Sequence, residues 1–537
     1  MQTSHADHAT RPPLVTVPPA YNAAHDLLAR HGERADKVAF VDAASGHWLT
    51  YGEMDDQAHR FANALRGLGF APESRVMLAM LDTPQWPVAF LGCVLAGVVP
   101  VAVNTLLTTA DFGFMLRDSR AQGLVVSQAL LPAFEPLLGQ IDSLRTVIVD
   151  HGDHADQPGQ ADISASNHSL AQLIHAQAAT KKIASTCADD ICFWLYSSGS
   201  TGAPKGTVHL HSHLIQTAEL YGRGVLGINE SDVVYSAAKL FFAYGLGNAL
   251  TFPMCVGATT VLLPTRPTPA DVFGVLQKFQ PTIFYGVPTL YAGLLSHPAR
   301  PARQALKLRV CTSAGEALPA EIGRRWTAEY GCEILDGIGS TEMLHIFLSN
   351  RPGQVRYGTT GQAVPGYALR IVGDDGNPCG VGEIGELQIN GPSAALMYWN
   401  NRTKTKATFA GEWTKSGDKY TVDADGYYTY GGRSDDMLKV GGIYVSPFEV
   451  EACLMTHSAV LEVAVIGVAD AEELVKPKAY VVLKAGATAS ADELQHHVKQ
   501  ALAPYKYPRW IEFVSELPKT ATGKIQRFKL RQKGFGV

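Results

Sequence analysis

The sequence predicts an α/β fold. In it a large N-terminal domain holds two doubly wound α/β subdomains and a β-rich subdomain, and a small α+β C-terminal domain follows. Short β-branched runs alternate with helical patterns up to about residue 336, as in parallel sheets. Glycines and turn residues become dense after about residue 355, and a new helix start lies at Ser446-Pro447-Phe448-Glu449. A chain of 537 residues is also long enough for two or more domains.

The first α/β unit follows a polar stretch, residues 1–20, which is expected to form a mobile tail. Thr50-Tyr51-Gly52-Glu53 has the pattern of a capping box and starts a predicted helix that ends near Gly67 or Gly69. Strands are predicted at 75–79, 98–103, 123–126 and 146–149. Residues 150–185 are polar and rich in alanine, which predicts a surface excursion with one helix.

The second α/β unit repeats this alternation. Ser212 is expected to cap a helix after a strand at 207–210. Further strands are predicted at 233–236, 258–263, 283–286, 308–312 and 333–336. The β-rich part shows strands at 369–372 and 386–389, and residues 423–439 are typical of a linker.

The C-terminal unit starts at the predicted capping box of Ser446 and Glu449. Strands are predicted at 461–468 and 479–483, followed by a helix capped by Ser490. The expected domains are therefore residues 21–433 and 434–537.

Composition narrows the function classes. A net charge of −5 and a pI near 6.4 give no electrostatic footprint for nucleic acid. The eight cysteines have no metal-knuckle spacing, which favours buried free thiols. The most apolar window, 88–103, is too short to span a bilayer, and residues 1–20 lack the apolar core of a signal peptide. We therefore expect a cytoplasmic protein without a membrane partner.

A phosphate-binding loop is predicted at Tyr196-Ser197-Ser198-Gly199-Ser200-Thr201-Gly202-Ala203-Pro204-Lys205-Gly206. Its glycines let backbone N–H groups approach phosphate oxygens, its hydroxyls add donors, and Lys205 adds positive charge. The spacing fits neither G-x-x-x-x-G-K-[ST] nor G-x-G-x-x-G, and it does not fit the serine nucleophile elbow G-x-S-x-G. The loop alone indicates an anion site, with a nucleotide as the expected ligand.

Five further motifs follow this loop in order: Ser313-Ala314-Gly315-Glu316, Asp336-Gly337-Ile338-Gly339-Ser340-Thr341-Glu342, Trp413-Thr414-Lys415-Ser416-Gly417-Asp418, Gly432-Arg433-Ser434-Asp435-Asp436-Met437-Leu438-Lys439-Val440-Gly441-Gly442, and Pro518-Lys519-Thr520-Ala521-Thr522-Gly523-Lys524. With the loop, this set resembles the adenylate-forming superfamily of acyl-CoA ligases, luciferases and peptide-synthetase adenylation domains. The resemblance runs from about residue 30 to 531.

The resemblance implies a two-step reaction. A carboxylate attacks the α-phosphorus of ATP to give an acyl-adenylate and pyrophosphate, and the thiol of CoA then displaces AMP. Lys524 matches the catalytic lysine, Thr341 a donor to the α-phosphate, and Glu342 the Mg²⁺ ligand. The remaining ATP-binding positions implied are Ser197, Ser198, Gly199, Ser200, Thr201, Gly202, Lys205, Ser313, Gly315, Glu316, Asp336, Gly337, Ile338, Asp418, Tyr430 and Arg433.

Several of these positions have narrower roles in the family. The loop from Ser197 to Gly206 is expected to grip the β- and γ-phosphates, and Asp418 with Arg433 to hold the ribose. Glu316, Asp336, Ile338 and Tyr430 match the positions around adenine, with Ile338 where the family usually has tyrosine. Asp435 matches a hinge about which the small domain turns between the half-reactions, and Gly441 and Gly442 match the lining of the pantetheine tunnel.

The acid pocket is expected around 239–248 and the adenine loops. Its predicted lining is Ala243, Tyr244, Phe252, Ala314, Gly339, Leu344, His345 and Ile346. Residues 239–248 contain no acid that would bind an amino group, and they look most like benzoate-CoA ligases. An apolar, flat slot suits an aromatic ring. His345 is equally well explained as a contact to the ring or carboxylate and as a structural histidine.

The expected substrate is benzoate or a small ring-substituted benzoate, and the expected acceptor is free CoA. The alternatives are a ligase for another small or medium-chain carboxylate, an adenylation enzyme that loads a separate carrier, and a noncatalytic nucleotide sensor. The pattern P-x-x-x-x-G-K at 518–524 resembles the target of protein lysine acetyltransferases, which makes such an enzyme an expected partner at Lys524. The chain is expected to be a monomer or a homodimer.

Overall fold

The structure is a computed structural model that describes residues 1–152, 167–199, 202–434, 437–440, 443–470, 474–519 and 525–532. The helices among these residues are Ala23–Ala29, Tyr51–Gly67, Gln85–Ala96, Thr109–Ser119, Leu170–His175, His211–Thr217, Ala243–Leu246, Phe252–Val256, Pro269–Phe279, Pro288–Ser296, Ala320–Tyr330, Arg402–Thr408, Pro447–Met455, Ala491–Ala501 and Arg527–Leu530. Within the described ranges, no helix is long and apolar enough to cross a membrane.

An eight-stranded sheet carries the predicted phosphate loop. Its strands in spatial order are Met397–Tyr398, Gly202–Leu210, Ile191–Gly199, Val99–Ala102, Arg75–Ala79, Gly123–Ser127, Thr146–Asp150 and Asn167–Ser169. The last six strands pair in parallel, whereas Ile191–Gly199 and Gly202–Leu210 form an antiparallel hairpin. The predicted alternation of strands and helices in the first unit is confirmed.

A nine-stranded sheet carries the adenine motifs. Its strands in spatial order are Gln362–Ala363, Ile346–Ser349, Ile334–Gly339, Val310–Ser313, Ile283–Gly286, Val233–Ser236, Thr259–Leu262, Val38–Asp42 and Trp48–Thr50. The six strands from Ile334–Gly339 through Val38–Asp42 pair with one another in parallel, and the outer strands of the sheet are antiparallel. Carboxyl ends of parallel strands meet at one edge of a sheet, so the loops after these strands gather there.

Helices packed between the two sheets form the largest buried cluster. Helix Gln85–Ala96 is buried from Trp86 to Ala96, as expected for a helix that is apolar on every face. Gly92 permits its close contact with the neighbouring helix, because a Cβ there would lie 2.7 Å from the Phe61 ring.

The β-rich part is an antiparallel sheet. Its strands are Ala368–Val372, Gly385–Asn390, Phe409–Ala410, Trp413–Val422 and Tyr428–Arg433. The last strand corrects the prediction of a linker over 423–439, because Tyr428–Arg433 pairs along Trp413–Val422. Tyr428, Tyr430, Gly431 and Gly432 are therefore strand residues beside an antiparallel partner.

The C-terminal part has its own small core. Strands Val460–Ala469, Val475–Leu483 and Trp510–Phe513 form a three-stranded sheet, and Leu438–Val440 pairs with Ile443–Val445. Apolar side chains from these strands and two helices share one buried cluster. This confirms the α+β character of the small unit.

Two predictions about helix starts were wrong or only half right. Helix His211–Thr217 begins one residue before the expected cap, since the amides of His211 and Ser212 are satisfied by the carbonyl oxygens of Asp190 and Ala188. Ser446 does cap helix Pro447–Met455, but the Glu449 carboxylate binds Lys506 at 2.6 Å instead of closing a capping box.

Part of the expected mobile tail is ordered. His5–Asp7 pairs antiparallel with Leu14–Thr16. The Ser4 hydroxyl donates to Asp26 Oδ2 at 2.6 Å, so the hairpin is joined to the body of the protein. The composition of residues 1–20 did not indicate this order, because the groups that hold the tail lie on another strand or on the helix that carries Asp26.

Candidate active site

The described residues of the predicted phosphate loop lie on two antiparallel strands. Ser197 faces Lys205 across the two strands, and Gly199 faces Gly202. The second strand begins at Gly202, five residues before the predicted start, because it pairs along the whole length of Ile191–Gly199. Ser198 lies in the first strand, while Ser200 and Thr201 lie outside the described residues.

Lys205 points toward the predicted metal ligand. Its Nζ lies 3.9 Å from Glu342 Oε1 and 3.4 Å from the hydroxyl of Tyr398, and it sits 4.4 Å from the centre of the Tyr398 ring. Burial lowers the pKa of Lys205, and the Glu342 carboxylate opposes that shift. A partly desolvated ammonium beside a carboxylate suits a polyphosphate with its cation.

Tyr398 joins the hairpin to Glu342 and was missed by sequence reasoning. Its hydroxyl donates to Glu342 Oε1 at 2.6 Å. Burial is the largest cause that raises the pKa of the Tyr398 phenol, and the Glu342 carboxylate is the second. Its backbone pairs with Thr207 on the hairpin. The sequence shows only an aromatic residue at this position. An aromatic residue in a short strand does not indicate that its hydroxyl contacts an acid on another sheet.

Thr341 and Glu342 lie on a short helical turn, Thr341–Met343. The backbone carbonyl groups of both residues accept hydrogen bonds from neighbouring elements. The Glu342 carbonyl accepts from the amide of Ala395 at 2.7 Å. His209 Nε2 lies 2.8 Å from the carbonyl oxygen of Thr341, and since a carbonyl only accepts, that nitrogen must carry the hydrogen. Burial lowers the pKa of His209 to about 4, which keeps the ring neutral at pH 7.

The adenine positions meet at the carboxyl edge of the nine-stranded sheet. Ser313 ends its strand directly opposite Asp336 on the next one. Both side chains are buried, and Ser313 Oγ and Asp336 Oδ1 have no hydrogen-bond partner among the described residues. Burial raises the pKa of Asp336 well above its usual value. Two buried polar atoms without partners fit a ligand with its own donors, such as an adenine amino group.

The chain turns away from this edge through Gly315, which has a φ of +94° that favours glycine. Glu316 is half-buried just beyond it. Gly337 and Ile338 pair with Ser349 and Leu348 on the neighbouring strand. Ile338 is half-buried, so an aliphatic face stands where the family usually places a tyrosine ring.

The predicted ribose ligands face each other across the β-rich sheet. Asp418 pairs with Arg433 in the strand register, and Asp418 Oδ1 lies 3.2 Å from Arg433 Nη1. Tyr430 lies on the same strand as Arg433, with its ring 5.4 Å from Tyr420 and 5.6 Å from Phe448. A carboxylate oriented by a guanidinium is suited to accept from two adjacent hydroxyls.

The apolar side chains of the predicted acid pocket, Ala243, Tyr244, Phe252, Ala314, Leu344 and Ile346, belong to one buried cluster or pack against it. Phe252 is fully buried, and its ring centre lies 4.5 Å from that of His345. Gly339 pairs with Ile346 and has no room for a side chain, since a Cβ would lie 2.6 Å from the His345 carbonyl carbon. Leu344 is buried with a φ of +67°, a strained conformation of the kind found at functional sites.

His345 is held by protein groups on one side. Its Nε2 lies 3.2 Å from the Tyr244 carbonyl oxygen and 3.2 Å from Asn248 Oδ1, whereas its Nδ1 is buried without a partner in the described chain. Burial lowers the pKa of His345 to about 3. The buried ring is therefore neutral at pH 7.

The residues present fit a Mg²⁺-nucleotide. No group of three or more metal-binding side chains occurs in the described part of the chain, so Glu342 would hold Mg²⁺ together with phosphate and water oxygens. The Lys205 ammonium, the two unpartnered polar atoms at Ser313 and Asp336, and the Asp418 carboxylate would meet phosphate, base and sugar. Asp435, Gly441, Gly442 and Lys524 lie outside the described residues.

Comparison with known proteins shows which family the chain belongs to. A family model described as AMP-binding enzyme matches residues 28–399, and one described as AMP-binding enzyme C-terminal domain matches 449–524. The chain is 58% identical to the benzoate--CoA ligase of Thauera aromatica over 98% of this chain and 99% of that protein. It is 48% identical to the 4-hydroxybenzoate--CoA/benzoate--CoA ligase of Rhodopseudomonas palustris over 96% of this chain and 95% of that protein.

A solved structure of a benzoate CoA ligase from Burkholderia xenovorans LB400 is 55% identical to the chain. It superposes with a TM-score of 0.88 and covers 95% of this chain and 100% of that chain. The predicted fold class, a large N-terminal domain with a small C-terminal one, is confirmed by this likeness together with the two family matches.

We expect Tyr398→Phe to slow ATP–pyrophosphate exchange and to weaken binding of Mg²⁺-ATP. Without the phenol hydrogen bond the Glu342 carboxylate is free to rotate, and loss of a hydrogen bond to a charged group predicts a decrease of about tenfold. Exchange kinetics and the thermal shift produced by Mg²⁺-ATP would measure both effects. Tyr427→Phe is the matched control, since it loses a hydroxyl contact of 3.1 Å to the remote Gln354 carbonyl oxygen. Equal behaviour of the two variants would contradict the role of Tyr398.

Proposed function

The chain belongs to the AMP-binding enzyme family, and we propose that it activates benzoate or a close analogue with ATP and transfers the acyl group to CoA. The products are benzoyl-CoA, AMP and pyrophosphate. The observation that carries this proposal is the 58% identity to a benzoate--CoA ligase over nearly the whole chain. The aromatic cluster around the expected acid pocket supports it.

The first step joins two anions, so its main requirement is charge neutralisation. A carboxylate oxygen of the acid forms a bond to the α-phosphorus of ATP, and the bond to the pyrophosphate oxygen breaks. Lys205 and the hairpin tip hold the β- and γ-phosphates, and Thr341 donates to the α-phosphate. Glu342 would hold Mg²⁺, which would supply positive charge to the site when bound.

The nucleoside end is held by the carboxyl edge of the nine-stranded sheet and by the β-rich sheet. The Asp418 carboxylate accepts from the ribose hydroxyls, and Arg433, 3.2 Å away, orients it. Ser313 and Asp336 supply buried polar atoms at the adenine. These contacts place the α-phosphorus without taking part in bond formation.

The acid pocket selects an aromatic ring by apolar contact. Tyr244, Phe252 and His345 form adjoining rings, with the centres of Tyr244 and His345 5.6 Å apart. The neutral His345 gives the pocket a polarisable wall without charge. An amino acid substrate would require an acidic partner, and residues 239–248 contain none.

The second step depends on the small domain. In the proposal the chain divides into residues 21–433 and 434–537, with Asp435 as the hinge and Gly441 and Gly442 along the pantetheine path. Support comes from the end of the β-rich sheet at Arg433 and the separate core of the C-terminal part. The CoA sulfur bonds to the acyl carbon, the bond from that carbon to the AMP oxygen breaks, and the thiol proton leaves to solvent.

We place the enzyme in the cytoplasm as a monomer or a homodimer. All eight cysteines are free thiols, and Cys311 and Cys332 remain unbonded although their sulfurs are 3.7 Å apart. Free thiols at this distance fit a reducing compartment.

A substrate panel tests the proposed activity. AMP release would be measured with CoA and each of benzoate, 4-hydroxybenzoate, 2-aminobenzoate, octanoate and acetate. We expect benzoate to give the highest kcat/KM, because a flat apolar pocket favours an unsubstituted ring. Higher values for octanoate or acetate would contradict the proposal, and turnover that needs a carrier protein instead of CoA would support a carrier-loading enzyme.

Lys524→Ala tests the assignment of the adenylation step. Loss of a charge contact made in the transition state predicts a decrease of about a hundredfold or more in ATP–pyrophosphate exchange. Thioester formation from supplied benzoyl-adenylate should be retained, since that step does not use this charge. Lys529→Ala is the control, because Lys529 is exposed in the same basic stretch. Exchange by Lys524→Ala at the rate of the control would show that the assignment is wrong.

Lys524 is also the proposed target of a protein lysine acetyltransferase. Acetylation removes the ammonium charge that adenylation requires. Incubation with such an enzyme and acetyl-CoA, followed by peptide mass spectrometry, should show the modification at Lys524 and a parallel loss of ATP–pyrophosphate exchange. An unmodified Lys524, or full activity after modification, would count against it.

A further inference from the structure

The N-terminal hairpin reaches two buried acids of the large domain. Ser4 Oγ donates to Asp26 Oδ2 at 2.6 Å, and His8 Nε2 lies 2.8 Å from Glu219 Oε2. Pairing of His5–Asp7 with Leu14–Thr16 keeps this segment in a defined shape. The N-terminal segment therefore has polar anchors on two separate elements of the large domain.

Like Asp26, Glu219 is buried, with a side chain that is only 1% exposed. Arg223 lies 2.9 Å from its carboxylate, Arg30 lies 3.4 Å away, and the Cys255 thiol donates at 3.3 Å. Burial raises the pKa of Glu219, but the contact with His8 and the charge of Arg223 outweigh it and lower the pKa overall. The ionised carboxylate only accepts, so His8 Nε2 carries the hydrogen in this contact.

Glu219 lies on a widened helical turn that reaches the acid pocket. Residues Ala218–Arg223 form a π-helical segment, a rare geometry that often marks functional sites. On the same segment, the centre of the Tyr221 ring lies 5.4 Å from that of His345 and 6.0 Å from that of Phe252. Gly222 also faces Phe252, since a Cβ there would lie 3.0 Å from that ring. One turn thus has the ion cluster on one face and the acid pocket on the other.

We propose that His8, acting through Glu219, is a positioning residue that sets the affinity of the enzyme for its aromatic acid. The hydrogen bond holds the carboxylate at one point, and the ion pairs with Arg30 and Arg223 then fix the turn. Without it the carboxylate keeps only its contacts with Arg30, Arg223 and Cys255, and Tyr221 shifts against Phe252 and His345. The inference rests on the proposed function only in taking those two rings as the wall of the acid pocket.

Steady-state kinetics of three full-length variants test this role. For His8→Ala we expect KM for benzoate to rise roughly threefold to tenfold, in the range of coupling through packed side chains. Its kcat and its KM for ATP should remain within about twofold of wild type, since only ground-state positioning of the acid is lost. His8→Gln keeps a donor for Glu219 and should restore most of the affinity.

His5→Ala is the matched control, because His5 is exposed on the same hairpin three residues away. Equal KM values for benzoate in His8→Ala and His5→Ala would overturn the proposal, as would a fall in melting temperature without a change in KM. If the wild-type enzyme does not use benzoate, the proposed function is wrong. The same variants are then compared with the acid that the wild type uses best, so the two failures remain distinguishable.

Discussion

The hydrogen bond from the Tyr398 hydroxyl to the Glu342 carboxylate connects the two halves of the active site. Tyr398 belongs to the eight-stranded sheet through its pairing with the phosphate hairpin, whereas Glu342 follows the edge of the nine-stranded sheet. Lys205 contacts both. The position of the phosphate hairpin relative to the proposed metal ligand therefore depends on contacts made by Tyr398, Lys205 and, on the hairpin itself, His209.

Buried polar atoms that lack a hydrogen-bond partner among the described residues are a second constraint on this site. Ser313 Oγ and Asp336 Oδ1 are buried without a partner in the described residues, and burial raises the pKa of Asp336. Such atoms reduce the stability of the fold when no ligand is bound. A nucleotide with its own donors would form hydrogen bonds with both atoms. The same two atoms that destabilise the fold without a ligand would therefore favour a ligand that carries donors at these positions.

The contrast with Glu219 is informative. That acid is as deeply buried, but arginines and a histidine compensate it, and the pKa falls instead of rising. A compensated buried acid holds structure, whereas an uncompensated one next to a cleft is suited to bind a ligand. The two acids thus have different roles that their residue type alone does not reveal.

Local signals determined much of this protein from sequence alone. The Thr50–Glu53 capping box, the strand at 75–79 and the fold class all follow from contacts within a few residues or from alternation along the chain. Order and spacing of six motifs likewise placed the chain in its superfamily. Tertiary structure alone decided the ordered N-terminal hairpin, the missing capping box at Ser446, and the roles of Tyr398 and His209. Each of these depends on partners distant in sequence or on different elements, and local patterns carry no information about which distant group fills a hydrogen bond.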